Sequence, residues 1–345
     1  MGTAVSFDKV SIVFGDDPES ALPLMDAMKD RAEVQEATGQ VLGVHDCSLD
    51  VQEGEILVLM GLSGSGKSTL LRAINGLNPV VRGRVRVSDG KQMIDVTNAD
   101  AATLRRIRLS HVAMVFQQFG LLPWRTVRDN VGLGLELGGM SRTERRAKVE
   151  EQLALVGLTD WADRMVSELS GGMQQRVGLA RAFTTDAPIL LMDEPFSALD
   201  PLIRTRLQDE LMELQKSLRR TIIFVSHDLD EAFKIGARIA IMEGGRIVQC
   251  GTPREIFTHP ANDYVADFVA HMNPLGVLTA RDVMAAPDGG AGGETCGEVS
   301  PATTVHDVME RLTAETGALA VVEGGKILGR ITRGDVLARL LDPRG

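Results

Sequence analysis

The run Gly61-Leu62-Ser63-Gly64-Ser65-Gly66-Lys67-Ser68-Thr69 carries the sharpest chemical signal in the chain. It matches the pattern G-x-x-x-x-G-K-[ST]. Glycines let a backbone curl until successive N–H groups point inward. With the N-terminus of a following helix, those donors bind the α and β phosphates of a nucleotide. Lys67 adds a compact positive charge for the β and γ phosphates. The Ser68 hydroxyl is a hard oxygen ligand suited to Mg²⁺. A second signal is Ile189-Leu190-Leu191-Met192-Asp193-Glu194, an apolar strand that delivers two carboxylates at its C-terminal end. Ligands bind at that end of open α/β sheets. Asp193 can hold Mg²⁺, and Glu194 can position and polarise an attacking water.

These residues need a scaffold, and the hydropathy pattern supplies one. Val5 to Phe14 alternates as a strand, strand character returns at Val44 to Val51, and Glu55 to Met60 is a continuous apolar run fit for a strand buried on both faces. A helical pattern (Leu70, Leu71, Ile74, Leu77) follows the phosphate-binding run. Leu22, Met25, Met28 and Ala32 predict a helix over 19–38. Residues 100–170 read as mostly helical, with an amphipathic helix from Arg142 to Val156. Pro188 to Met192, Thr221 to Val225 and Arg238 to Met242 are short apolar runs separated by helical segments. This is the pattern of a doubly wound α/β domain. Composition shifts near Asn273 and Pro274, which places a domain boundary there, and Asp288-Gly289-Gly290-Ala291-Gly292-Gly293 predicts a flexible loop.

The bulk composition excludes several classes. The formal charge of −10 and an aromatic content of 4% argue against a nucleic-acid binder with base-stacking platforms. No apolar run approaches the roughly 20 residues needed to span a bilayer. The start of the chain has no basic-then-apolar pattern, so no secretory signal is expected. The three cysteines, Cys47, Cys250 and Cys296, are too few and too far apart for a disulfide framework or a CxxC metal clip. The expectation is an acidic, cytoplasmic protein.

Further motifs carry a family resemblance. Leu169-Ser170-Gly171-Gly172-Met173-Gln174-Gln175-Arg176 resembles the signature of the ATP-binding cassette ATPases. Val115-Phe116-Gln117 resembles their Q-loop, Ser197-Ala198-Leu199-Asp200 their D-loop, and Ser226-His227-Asp228 their switch histidine, all in the family's order. The resemblance covers residues 4 to about 272. It implies a P-loop NTPase fold: a RecA-like α/β core with an antiparallel β-subdomain and a helical subdomain at about 119–170. It also implies a head-to-tail homodimer in which each ATP lies between the phosphate loop of one subunit and Ser170, Gly171 and Gly172 of the other. A γ-phosphate has three charged oxygens, and donors supplied in trans complete its enclosure. By the same resemblance His227 contacts the γ-phosphate and the Glu194 region, Gln117 contacts Mg²⁺ and the attacking water, and Asp200 links the subunits. Adenine stacks on an aromatic residue of the first β-region. Phe14 stands in that place, with plain core as the competing reading.

The stretch from Phe14 to Gly61 is longer than a compact cassette needs, the excess being a helical insert at about 16–43. Asp16-Asp17-Pro18, Thr38-Gly39 and His227-Asp228-Leu229-Asp230-Glu231-Ala232 resemble the cassettes of glycine betaine, proline and choline importers. Phe116-Gln117-Gln118-Phe119-Gly120-Leu121-Leu122-Pro123-Trp124-Arg125-Thr126-Val127 looks most like choline-type members. The resemblance implies integral-membrane permease partners, an indirect link to a substrate-binding protein, no nucleic acid, and a peripheral place on the cytoplasmic face of the bacterial inner membrane. Phe119 to Trp124 reads either as part of the permease groove or as internal packing. Residues 274–345 resemble a single cystathionine-β-synthase-type (CBS) motif, a small α+β domain. A helix is expected around Val305, Val308, Met309 and Leu312, strands at Ala318 to Val322 and Lys326 to Thr332, and Thr332 and Asp335 stand where the family contacts adenosine phosphate and ribose. A sensory role and a dimerisation appendage are both open for it. The resulting expectation is the ATPase of a choline or related quaternary ammonium importer. The alternatives are an importer of another solute such as taurine or proline, and a non-transport cassette ATPase.

Overall fold

The structure is a computed structural model that describes residues 2–270, 272–285, 295–314 and 317–341. The glycine-rich stretch 288–293 lies outside the described residues. Thirteen strands are present among them: β1 (Thr3–Phe14), β2 (Val41–Gln52), β3 (Ile56–Met60), β4 (Arg82–Ser88), β5 (Met93–Asp95), β6 (Val112–Val115), β7 (Ile189–Asp193), β8 (Thr221–Val225), β9 (Arg238–Glu243), β10 (Arg246–Gly251), β11 (Thr295–Val299), β12 (Ala318–Glu323) and β13 (Lys326–Ile331). They form three sheets, in the orders β2-β1-β4-β5, β10-β9-β3-β8-β7-β6 and β11-β12-β13. The chain divides into two compact units, Met1–His227 with Ala240–Val248, and Asp228–Ile239 with Gln249–Gly345.

In the first unit, β3, β8, β7 and β6 pair in parallel, with Leu57 opposite Ile223 and Leu191 opposite both Met114 and Ile223. β3, β7 and β8 are buried along their whole length, which is why they read as unbroken apolar runs rather than as alternating ones. Parallel register puts all their C-terminal ends on one side, and there lie the phosphate-binding run, Asp193 and Ser226. The antiparallel sheet is built on β1, which pairs with β2 and β4 and carries register shifts that bend it. β6 interrupts the region expected to be helical. Its four residues are too short a run for hydropathy alone to separate from the neighbouring helix Ala101–Ser110. The helix Arg142–Leu155 forms as the sequence predicts. It buries Val149 and Leu153 with Val127, Val131, Val166, Val177 and Ala180 in a core of its own, against which Leu121 packs.

The segment expected as one helix over 19–38 is three pieces, Pro18–Ala21, Leu22–Asp26 and Arg31–Thr38. Met28 takes a left-handed φ of 60°, which stops the first run. Asp30 then caps the next helix, accepting from the Glu33 N–H while the Glu33 side chain receives the Asp30 N–H. The insert still folds as a body. Ala21, Met25 and Val34 are fully buried with Val13 and Leu42. At its neck the Gln40 Oε1 accepts the Asp17 N–H at 3.1 Å.

In the second unit β11 runs parallel to β12, and β12 antiparallel to β13. The helices Val305–Ala314 and Arg333–Leu341 accompany this sheet. β11 is the element that hydropathy missed, because most of its residues are exposed or half-buried. The Thr332 hydroxyl and N–H both donate to Asp335 Oδ2, at 2.6 and 2.7 Å, so these two residues close the turn into the last helix. The boundary expected near residue 273 falls inside this unit, where Arg254 Nε donates to both oxygens of Asp282, at 3.0 and 2.9 Å.

Because Met25 sits in the insert core with no exposure, Met25→Ala is expected to cost about 2–5 kcal/mol. A lowered urea midpoint at unchanged slope checks this, and an unchanged midpoint means the insert is not packed as described.

Candidate active site: a nucleotide cleft at the sheet's C-terminal edge

The phosphate-binding run leaves β3 as a tight loop and enters the helix Lys67–Ala73. Its shape depends on backbone positions that a side chain cannot occupy. Gly61 has φ +139°, and a Cβ there would lie 2.1 Å from the Met242 carbonyl oxygen. Gly66 has φ +102°, and its Cβ would meet Val44 and the Gly43 carbonyl oxygen at 2.7 and 2.8 Å. Both restrictions require glycine. Lys67 is 6% exposed, and its Nζ donates to the carbonyls of Gly61 and Leu62, each at 2.9 Å. Burial pulls its pKa below the ordinary lysine value, opposed by the charges of Glu194 and Asp193.

Ser68 and Asp193 meet directly, Oγ donating to Oδ1 at 2.6 Å. Asp193 is fully buried, and its second oxygen receives Arg72 Nη2 at 2.9 Å. The carboxylate is thus charge-compensated while facing the phosphate loop. Glu194 follows at a left-handed φ of 47°. That backbone is over-determined: its N–H donates to the Val225 carbonyl at 3.1 Å, and its carbonyl accepts from Gln175 Nε2 at 3.2 Å and Ser197 Oγ at 3.0 Å. The turn aims the Glu194 carboxylate into the cleft. There its Oε2 receives Gln117 Nε2 at 3.1 Å and lies 3.4 Å from His227 Nδ1.

A cavity of about 540 Å³ gathers most of the expected residues. Phe14, Ser63, Gly64, Gly66, Lys67, Ser68, Thr69, Gln117, Glu194 and His227 line it, together with Val41 and Arg31. Phe14 is 39% exposed at the rim, so it is not a core residue. Gly61 and Ser65 support the loop from behind. Gly61 accepts from Lys67, and Ser65 is buried with its carbonyl receiving the Gly245 N–H at 3.1 Å.

Seven expected residues do not line this cavity: Gly61, Ser65 and the buried Asp193 stand behind it, and four others lie at helix N-termini. Ser170 caps the helix Gly171–Thr184, where its Oγ accepts the Met173 N–H at 3.4 Å, and Gly171 and Gly172 form the first turn of that helix. Asp200 caps the helix Pro201–Leu218, accepting the Ile203 N–H at 3.0 Å. Within one chain Ser170 and Asp200 therefore act as caps.

Three residues of the site escape sequence reading. Arg72 and Arg31 carry no motif spacing, and their partners come from distant segments. Gln175 donates to the Glu194 carbonyl and accepts the Ala198 N–H at 3.1 Å, so it ties the helix Gly171–Thr184 to the turn after β7. Its place two residues beyond Met173 was visible, but nothing in one dimension pairs it with Glu194.

Comparison with known proteins identifies the family. The model of the ABC transporter family matches residues 44–197, and that of the CBS domain matches residues 298–342. The glycine betaine/proline betaine transport system ATP-binding protein of Escherichia coli (strain K12) is 51% identical over 271 residues, covering 79% of this chain and 67% of that protein. The trimethylamine N-oxide transport system ATP-binding protein of Ruegeria pomeroyi is 42% identical over 343 residues, covering 99% of this chain and 98% of that protein. Among solved structures, a dimeric post-hydrolysis ATP-binding cassette bound to ADP and Pi matches with a TM-score of 0.63 and 31% identity, over 72% of this chain and 99% of that one. With the phosphate loop, the two carboxylates and these similarities in place, the chain belongs to the ABC transporter family, as an ATPase cassette that also carries a CBS domain.

Proposed function

We propose that the chain powers a binding-protein-dependent importer of choline or a related quaternary ammonium compound. The observation that carries the ATPase mechanism is the convergence of Gln117 and His227 on Glu194 in the cleft that holds Lys67 and Ser68. In this reading Lys67 and the loop N–H groups bind the phosphates, and Phe14 stacks on adenine at the rim. Glu194 orients and polarises water for in-line attack on the γ-phosphorus, and His227 holds the γ-phosphate side of Glu194. The Ser68 hydroxyl, the Asp193 carboxylate and the Gln117 amide oxygen are hard donors, a set that suits Mg²⁺. Held by these residues, such an ion would offset the negative charge of the phosphates.

The trans contacts belong to the same proposal. Ser170, Gly171, Gly172 and Asp200 lie at helix N-termini outside the cleft of their own chain. In a head-to-tail homodimer they serve the partner's nucleotide and the subunit link. Permease docking is assigned to an apolar groove of about 610 Å³ lined by Leu77, Phe116, Leu133 and Leu137. Trp124 is 71% exposed and is assigned to the same docking role, whereas Leu121 packs inward. No helix among the described residues is long and apolar enough to cross a membrane. The proposed place is the cytoplasmic face of the bacterial inner membrane, with membrane crossing done by permease chains. The solute class rests on the relatives. Glycine betaine and trimethylamine N-oxide share a trimethylated, four-substituted nitrogen, and the trimethylamine N-oxide protein matches this chain almost end to end.

We further propose that residues 1–273 act as the cassette and 274–345 as a CBS-type element that pairs across the dimer. Ile327 and Leu337 stay 50% and 56% exposed on this single motif, apolar surface that a second copy can cover.

Three outcomes test these assignments. Glu194→Gln is expected to keep ATP binding while hydrolysis falls at least about a hundredfold, with an ATP-dependent dimer on size exclusion; normal turnover removes Glu194 from its role. Reconstituted with its permease and binding protein, the complex is expected to show ATPase stimulation by choline or glycine betaine; stimulation by taurine alone selects the other importer reading. Deletion of 274–345 is expected to weaken dimerisation in sedimentation, and an unchanged dimer sinks the pairing role.

A further inference from the structure

The insert between β1 and β2 opens at the mouth of the nucleotide cleft. Phe14 pairs with Val41 across the two strands, and both residues line the cavity, so residues 15–40 leave and rejoin the sheet at its rim. The insert is anchored from several sides. Beyond its buried core, Asp26 receives both end nitrogens of Arg82, at 2.8 and 2.7 Å, and Arg246 Nη2 donates to the Met25 carbonyl at 3.1 Å. A segment held this way presents its side chains at fixed places.

One of them enters the cleft. Arg31, the first residue of the helix Arg31–Thr38, lines the cavity beside Gly64, Gly66 and Lys67. Its Nη1 donates to the Gly64 carbonyl of the phosphate loop, and its Nη2 to the Gly43 carbonyl of β2 at 2.6 Å. Its Nε is buried without a hydrogen-bond partner. Among the described residues no carboxylate pairs with this guanidinium; burial is what pulls its pKa below the ordinary arginine value. Arginine nevertheless stays charged, and a half-buried charge is costly unless something of opposite sign meets it. Neighbouring Arg72 and Arg82 each have an aspartate. Arg31 alone of these three faces a cleft whose proposed occupant is a polyanion.

We propose that Arg31 is a nucleotide-binding residue contributed by the insert, the counter-charge to the phosphates on the β2 side of the cleft. This rests on the cavity being the nucleotide site. A consequence is reciprocal linkage: nucleotide steadies the insert, and a well-docked insert raises nucleotide affinity.

The test compares full-length wild type with Arg31→Ala, Arg31→Gln and Arg31→Lys, using equilibrium binding of ADP, of ATP and of adenosine. Arg31→Ala and Arg31→Gln are expected to weaken ADP and ATP about tenfold, which corresponds to about 1.4 kcal/mol, and Arg31→Lys to recover part of that. Adenosine has no phosphates, so its affinity is expected to stay within twofold. Hydrogen exchange in residues 15–40 is expected to slow on ADP binding in wild type and not in Arg31→Ala. ADP affinity within twofold of wild type in both Ala and Gln variants overturns the proposal. So does an equal loss for ADP and adenosine, which marks a merely structural role. Wild type that binds no nucleotide, or binds it unchanged after Lys67→Ala, overturns the cleft assignment itself.

Discussion

Everything at this site depends on placing backbone where no side chain can fit. A polyphosphate is bound by inward N–H groups only if the loop curls tightly, and the loop curls tightly only against close walls. Gly61 lies almost in contact with the Met242 carbonyl, and Gly66 against Gly43 and Val44. Those walls come from β2, the strand just before β3, and from β9, which is remote in sequence. The phosphate loop is therefore a property of the sheet assembly as much as of its own nine residues. Lys67 illustrates the consequence. Held by two carbonyls of the same loop, it is a positive charge stationed where burial already disfavours it, and it gains most when phosphate arrives.

The carboxylate pair after β7 shows how adjacent residues receive different tasks from their surroundings. Asp193 ends the strand buried, with Ser68 on one oxygen and Arg72 on the other. Glu194 begins the turn in a left-handed conformation secured by Val225, Gln175 and Ser197. One group is fixed and compensated, and its neighbour is aimed outward at Gln117 and His227. Because Gln175 belongs to the signature helix, that helix and the turn at Glu194 are mechanically joined through two hydrogen bonds.

The insert adds a second layer to a common scaffold. It is a small packed body whose core is Ala21, Met25 and Val34 on Val13 and Leu42. That body brings an arginine, Arg31, to the cleft. The C-terminal unit, by contrast, uses Thr332 and Asp335 to close its own last turn, so those polar groups are engaged within the chain.

Local chemistry made much of this legible in one dimension. The phosphate loop, the acidic end of β7, the buried parallel strands and the amphipathic helix Arg142–Leu155 all rest on residue types within a few positions of one another. Glycine spacing, apolar runs and periodicity report such short-range requirements directly. What escaped was short or depended on distance through the fold. β6 and β11 are too brief or too exposed to show a period. The break in the insert turns on a single left-handed residue, Met28, for which composition offers no sign. Arg31, Arg72 and Gln175 acquire meaning only when Gly64, Asp193 and Glu194 are brought beside them. Residue type decided which chemistry was possible, and tertiary structure decided which side chains share it, because hydrogen bonds and charges act through space over a few ångströms whatever their separation along the chain.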